Sequence, residues 1–288
     1  MFGRQKSGSV VCVSCGYLVG VNDQKCYHCG RRNPGLWGFA LAVRGLGQDM
    51  GFVPFVTGAC ILVYALSLLF SGGQLGMRGG LFGLLAPSTC SLMRFGASGA
   101  LPVFFADRWW TVLSASWLHG SLLHIILNVY WIRQLAPAVS ELYGPGRMVI
   151  IYTVGGIVGF LASSVAGEFL QFLPPMLSGA QLTVGASAPF FGLLGALLHY
   201  GDRGGSSMVR QQALYYAVVM FFMGLVMSGV DNYAHAGGFA GGWLAARILD
   251  PLRPERIDHL VIALGCLALS MLSIVISLVV RVGPPFCP

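Results

Sequence analysis

Charge is what this sequence has least of. Only 9% of its 288 residues are Asp, Glu, Lys or Arg, and just 10 of them are acidic. Soluble globular chains carry about a quarter charged residues, so this chain reads as a membrane protein. The 17 basic residues are spread over loops and do not gather in a patch, which argues against nucleic acid as a partner. Internal repeats and low-complexity tracts are also missing. The first 50 residues hold no apolar core of the length a cleavable signal peptide needs.

What is present is apolar: 56% of the chain is hydrophobic. A membrane span takes about 20 such residues, and seven stretches qualify, at 52–70, 120–139, 148–166, 183–200, 211–230, 233–249 and 259–281. Charged breaks separate the later ones at Glu141/Arg147, Glu168, Asp202–Arg210, Asp231 and Asp250–Asp258. With the N-terminus in the cytoplasm, 13 of the 17 basic residues fall on inside segments, leaving Arg78, Arg94, Arg108 and Arg281 outside. The net charge of +7 is therefore an orientation signal. The expectation is an all-α polytopic protein of the plasma membrane, with its N-terminus in the cytoplasm and its C-terminus outside.

A cysteine module precedes the membrane region. Cys12-x-x-Cys15 and Cys26-x-x-Cys29 lie ten residues apart, each followed by glycine (Gly16, Gly30). Four thiolates complete a tetrahedral Zn²⁺ shell, and glycine lets the backbone turn tightly beneath the second sulfur. Disulfides are the alternative, which a reducing cytoplasm disfavours; rubredoxin-like iron is a lesser one. His28 lies beside Cys29, but the four cysteines already fill the shell. The chain thus divides into a zinc-ribbon-like cytoplasmic module at 1–33 that takes structural Zn²⁺, a linker at 34–50, and a membrane domain at 51–288. The module is expected to serve a cytoplasmic partner or regulation. Cys60, Cys90, Cys266 and Cys287 have no motif spacing, and Cys60 and Cys266 read as buried small hydrophobes.

Polar residues inside the apolar segments mark function by default. The second, fourth and sixth segments all run from outside to inside. His124 and Asn128, Ser187, and His235 each lie near the start of one of them. Four polar residues on three helices therefore meet at one depth. His124 and Asn128 are four apart and share a helix face. Small-residue stripes at Ala188, Gly192 and Gly195, and at Gly238 and Gly242, let the fourth and sixth helices approach closely. A Ser–His hydrogen bond of ~3 Å needs that approach. A helix starting at Ser187 begins below the membrane surface, with the loop 167–185 (Pro174, Pro175, Gly179) as its cover. Asp231 reads as a solvated loop charge, with a triad role as the alternative. Glu168 reads as loop surface, and His199 and His259 as interfacial. The glycine- and aromatic-rich stretch 71–110 reads as an interfacial excursion with short, half-immersed helices.

These residues resemble the rhomboid family of intramembrane serine proteases. The resemblance spans about 100–250 and rests on His119-x-x-x-x-His124-x-x-x-Asn128, Gly185-Ala186-Ser187 and Ala234-His235-x-x-Gly238-x-x-x-Gly242, with support from Glu141-Leu-Tyr-Gly144 and Trp109-Trp110-Thr111. It implies a six-helix bundle plus a C-terminal seventh helix. It implies a serine endopeptidase that cleaves transmembrane protein substrates in the lipid bilayer, with no catalytic cofactor. Ser187 is then the nucleophile and His235 its general base. The Ser187 N–H, His124 and Asn128 form the oxyanion site, and His119, turned away from His124 by helical rotation, is structural. The chain departs from the family at Ala188, where glycine usually follows the serine, and at Trp110, where arginine usually follows the loop tryptophan. Arg108 is the candidate replacement. The alternative is a catalytically inactive rhomboid-like membrane-protein binder. A transporter is disfavoured by the lack of paired broken helices or inverted halves.

Overall fold

Hydrocarbon offers no hydrogen-bond partners, so a long apolar segment must satisfy its own backbone, and helices do so. The computed structural model describes residues 4–41, 49–72, 83–174, 178–227, 229–253, 255–280, 282–283 and 287. Arg44, Arg78 and Arg281 of the charge count, Pro175 of the covering loop and the middle of the 34–50 linker lie outside the described residues. Helix α1 (Phe52–Leu69) is followed by the short helices α2 (Thr89–Phe95) and α3 (Thr111–Ser114), with a π turn over Leu101–Phe105 between them. Then come α4 (Leu122–Tyr143), α5 (Pro145–Phe169), α6 (Ser187–Gly204), α7 (Ser207–Val226), α8 (Asn232–Ile248) and α9 (Ile257–Val279).

Among the described residues, seven long helices overlie the seven predicted stretches. Five of them, α1, α4, α5, α7 and α9, are each long and apolar enough to cross a membrane. Helices α6 and α8, which carry the serine and the histidine, are not among them: α8 has only 17 residues, and α6 ends in the polar run His199–Gly204. Large apolar side chains such as Phe222, Met223, Val261 and Leu272 stand exposed on the outer helices, the surface a bilayer covers. The chain is an all-α polytopic membrane protein.

At the centre, α5, α6 and α8 approach through glycine. A Cβ placed on Gly155 of α5 would lie 2.9 Å from the Cα of Gly192 on α6. Gly238 and Gly242 of α8 press on the carbonyls of Ala188 and Gly192, and Gly195 of α6 presses on Phe239. With no water to expel, close backbone contact supplies the packing energy between membrane helices. Helix α7 packs at the edge and buries only Ala213, Ala217 and Gly224.

Beyond one end of the bundle sits a small hairpin, β1 (Ser9–Val11) antiparallel to β2 (Leu18–Gly20), with Val10 opposite Val19. Its own core is Val10, Cys12, Val19, Val21, Cys26 and Ala40. The hairpin touches the bundle where Ser14 Oγ donates to the Glu255 carbonyl at 3.2 Å. The Glu255 carboxylate accepts the Arg147 N–H at 2.9 Å. The Arg147 guanidinium donates to the carbonyls of Leu249 (3.0 Å), Asp250 (2.7 Å) and Arg253 (2.8 Å), pinning the α8–α9 loop to the start of α5.

Candidate active site

Three helix N-termini meet at the end of the bundle away from the hairpin. Ser187 is the first residue of α6, His235 lies in the first turn of α8, and His124 is the third residue of α4. Unpaired backbone N–H groups at helix starts carry partial positive charge, so developing negative charge is favoured there. Each start is set locally. Ser121 Oγ accepts the His124 N–H at 3.2 Å and caps α4. Asp231 Oδ1 accepts the Ala234 N–H at 3.0 Å and caps α8. Ala186, with φ −77° and ψ 7°, precedes α6, and Pro189 sits in its first turn, where a missing N–H costs nothing.

Ser187 is half-buried and His235 is buried. The His235 ring stacks on Phe191, one turn beyond Ser187, with centroids 4.1 Å apart and planes at 15°. That stack couples the imidazole to the serine's own helix. Among the described residues, no hydrogen bond joins Ser187 to His235. His235 Nδ1 is buried without a hydrogen-bond partner, so no carboxylate orients the ring. Asp231, expected to be a solvated charge, is instead tied down: it caps α8 and also accepts the Ser163 hydroxyl of α5. The expectation failed because a residue at a helix start is drawn to the free N–H groups beside it.

The histidine of α4 has a defined tautomer. The Gly120 N–H donates to His124 Nδ1 at 3.2 Å, so the neutral ring carries its proton on Nε2. That edge faces Gly185: a Cβ at position 185 would lie 2.7 Å from both Nε2 and Cε1 of His124 and 3.7 Å from Ser187 Oγ. Gly185 also has φ +133°, so both the space and the conformation require glycine. Asn128 is buried one turn along, and its Nδ2 donates to the His124 carbonyl at 2.8 Å. His124, Gly185 and Ser187 therefore share one small volume, with Asn128 beside it.

His119 corrects a premise of the sequence reading. Helix α4 begins at Leu122, so no helical rotation separates residues 119 and 124. The buried His119 ring lies edge-on to His124, centroids 5.2 Å apart. Ala188, where glycine is usual, is fully buried, and its methyl packs where Gly159 of α5 leaves room. His199 and His259 lie toward the opposite end, His199 edge-on to Trp243 and His259 in the first turn of α9.

In the hairpin module, the sulfurs of Cys12, Cys15, Cys26 and Cys29 all lie within 4.8 Å of one another. The Cys12–Cys29 and Cys15–Cys26 separations are 3.8 and 3.7 Å. A tetrahedron with Zn–S bonds of about 2.3 Å has edges of about 3.8 Å, so the four residues fit a metal ion. The N–H groups of Cys29 and His28 point at the Cys26 sulfur and hold its thiol down to about 7. The His28 ring stacks on Tyr17 at 3.7 Å, outside the sulfur cluster. Cys90 and Cys287, which the sequence left without a role, are joined in a disulfide.

A sequence model described as the rhomboid domain matches residues 106–251, just over half of the chain, and that interval contains every helix-start residue above. The chain belongs to the rhomboid family. Among relatives of this rhomboid, RHOMBOID-like protein 4 of Arabidopsis thaliana is 32% identical over 58% of this chain and 40% of its own length. Rhomboid protease GluP of Bacillus subtilis is 30% identical over 56% of this chain and 30% of its own. Inactive RHOMBOID-like protein 8 of A. thaliana is 28% identical over 54% and 42%. The rhomboid chain thus matches less than half the length of each of these three relatives.

Proposed function

We propose that this rhomboid is an intramembrane serine endopeptidase acting on transmembrane protein substrates, with a Ser187–His235 dyad. The observation that carries the reading is the meeting of Ser187, His235 and the Nε2–H edge of His124 at three adjoining helix starts. In this reading the Ser187 Oγ attacks the scissile carbonyl carbon while His235 Nε2 takes the hydroxyl proton. The Ser187 N–H, His124 Nε2–H and the Asn128 amide receive the oxyanion. Collapse breaks the C–N bond, and His235 returns the proton to the leaving amine. Water then repeats the sequence on the acyl-enzyme and frees Ser187. Phe191, by stacking, takes the orienting part that a carboxylate has in a triad.

The further assignments belong to the same proposal. The membrane domain runs over 51–288 and the cytoplasmic zinc-ribbon-like module over 1–33, joined by a linker at 34–50. Cys12, Cys15, Cys26 and Cys29 hold one structural Zn²⁺. The orientation is N-terminus in the cytoplasm and C-terminus outside, in the plasma membrane. Four free thiols at the hairpin end and a disulfide at the Ser187 end support that orientation, because disulfides persist on the oxidising side.

The test is cleavage of a single-span substrate in proteoliposomes, with fluorophosphonate labelling of the serine. Ser187→Ala and His235→Ala are expected to abolish both, and a Ser187→Ala protein that cleaves as fast as wild type refutes the assignment. The similarity to an inactive relative supports a second reading, a membrane-protein binder. Wild-type protein that retains clients but neither labels nor cleaves would establish it.

A further inference from the structure

The last helix lies far from Ser187 in sequence, yet a continuous set of contacts links the two. The first loop is fastened to Ser277 of α9 and to Cys287 beyond it. Arg108, 2% exposed, donates from Nη2 to the Ser277 carbonyl at 2.7 Å and from Nη1 to the Met93 carbonyl at 2.5 Å. Trp110 Nε1 donates to Ser277 Oγ at 2.9 Å, and the Arg108 guanidinium sits 5.6 Å from the Trp110 ring centroid. Gly96 closes onto the same serine: a Cβ there would lie 2.5 Å from Ser277 Oγ. Beyond α9, Cys287 is bonded to Cys90 of α2.

That loop in turn holds the segment that leads into the serine. Ser98 and Thr183 exchange both backbone hydrogen bonds (3.0 and 2.8 Å), a two-residue antiparallel bridge. Ala100 N–H and Leu101 N–H donate to the carbonyls of Ala180 and Gln181 at 3.1 and 3.2 Å, and Gly185 N–H donates to Ala115 at 2.9 Å. Residues 180–185 thus have much of their backbone bonding supplied by 98–101 and 115, and two residues later the chain is Ser187.

We infer that the C-terminal end of the chain positions the nucleophile: Arg108, Ser277 and the Cys90–Cys287 disulfide are positioning groups that fix residues 98–101 and, through the Ser98–Thr183 bridge, the approach to Ser187. The inference rests on the protease reading for its effect on rate, but the mechanical coupling stands apart from it. Arg108 and Trp110 thus both find acceptors on Ser277 of α9.

The experiment uses the full chain in proteoliposomes and two variants, Cys90→Ser/Cys287→Ser and Arg108→Gln, with Cys266→Ser as control. Hydrogen exchange of residues 180–186 is expected to accelerate in both variants and to stay at the wild-type rate in the control. The rate of Ser187 labelling and kcat should fall on the order of 10- to 100-fold, since a displacement of ~1 Å in a reacting group can cost ~100-fold. KM and the final labelled fraction should hold, which separates mispositioning from loss of folded protein. Arg108→Lys, which keeps a cationic donor, should recover part of the rate. Unchanged exchange at 180–186 in the disulfide variant overturns the inference whatever the activity. Faster exchange in a protein whose wild type neither labels nor cleaves upholds the coupling and rejects the protease reading instead. Faster exchange with wild-type kcat removes the positioning role.

Discussion

Replacing Gly185 by alanine should disable the proposed site without replacing the proposed nucleophile, base or oxyanion donors. Two costs arise at once. The residue holds φ +133°, a region that costs a non-glycine residue about 1–3 kcal/mol. The new methyl would also stand 2.7 Å from His124 Nε2, well inside van der Waals contact, so the imidazole must swing away. Swinging it breaks the Gly120 N–H bond to Nδ1 (3.2 Å) that fixes the tautomer, and the Nε2–H donor is lost to the oxyanion. Loss of one such donor lowers kcat by about 10²–10³. The assay is substrate cleavage in proteoliposomes at a temperature where the variant remains folded. A double-mutant cycle with His124→Ala isolates the mechanism. If the methyl acts through His124, Gly185→Ala should cost little more in the His124→Ala background. Gly229→Ala is the control: it has φ +85° but open space around its Cβ, so it should lose stability and keep kcat. Wild-type kcat in Gly185→Ala, or full additivity with His124→Ala, would refute the assignment of His124 to the oxyanion.

Four other outcomes follow from the geometry. Asp231→Ala removes the α8 cap and the Ser163 contact, which should cost about 1–2 kcal/mol in thermal unfolding, as N-cap losses do, and lower kcat as the first turn of α8 loosens. Gly159→Val should destabilise the bundle by several kcal/mol of overpacking, because Ala188 Cβ already occupies the space 2.8 Å from a Cβ there; a melting curve in detergent checks it. Cys12→Ser/Cys15→Ser should lose one bound zinc per chain by elemental analysis and leave the membrane helices intact by circular dichroism. Burial pushes the Glu255 carboxyl above its ordinary 4.5, so the folded protein holds that proton more tightly than the unfolded chain. Its contribution is complete at low pH and is lost as pH rises through the raised value. Glu255→Gln should flatten stability above pH 4.5, and an unchanged profile would count against a buried acid there.

The seven long helices were legible because each span must satisfy its own backbone, which leaves an apolar run in the sequence. The residues of the proposed site followed from a related argument: crossing parity put His124, Ser187 and His235 near the starts of their segments, and each lies in the first turn of its helix. Phe191 was readable too, since it stands four residues from Ser187 on the same face, but a phenylalanine in an apolar helix gives no sign of what it stacks on. The Ser163–Asp231 contact and the Cys90–Cys287 pairing join residues 68 and 197 positions apart, and neither has a local pattern. The rotation argument for His119 failed because the helix begins at Leu122, past that residue. A helical argument fails wherever the helix has not begun.

Sulfur shows how much of the chain's organisation is set by environment and how little by spacing. Cys12, Cys15, Cys26 and Cys29 are four thiols with their sulfurs within 4.8 Å, near enough to form disulfides in an oxidising compartment. Cys90 and Cys287 have no spacing signal and are bonded across 197 residues. Free thiols persist on a reducing side and disulfides on an oxidising one. The two states coexist when a bilayer lies between them, and the bundle separates them: the cluster's module rests on Glu255 at the α8–α9 loop, and the disulfide lies past the far end of α9. Proposed sidedness, metal ligation and the fastening of the first loop therefore depend on one another. An inverted chain would expose the four proposed metal ligands to oxidation and the Cys90–Cys287 strap to reduction.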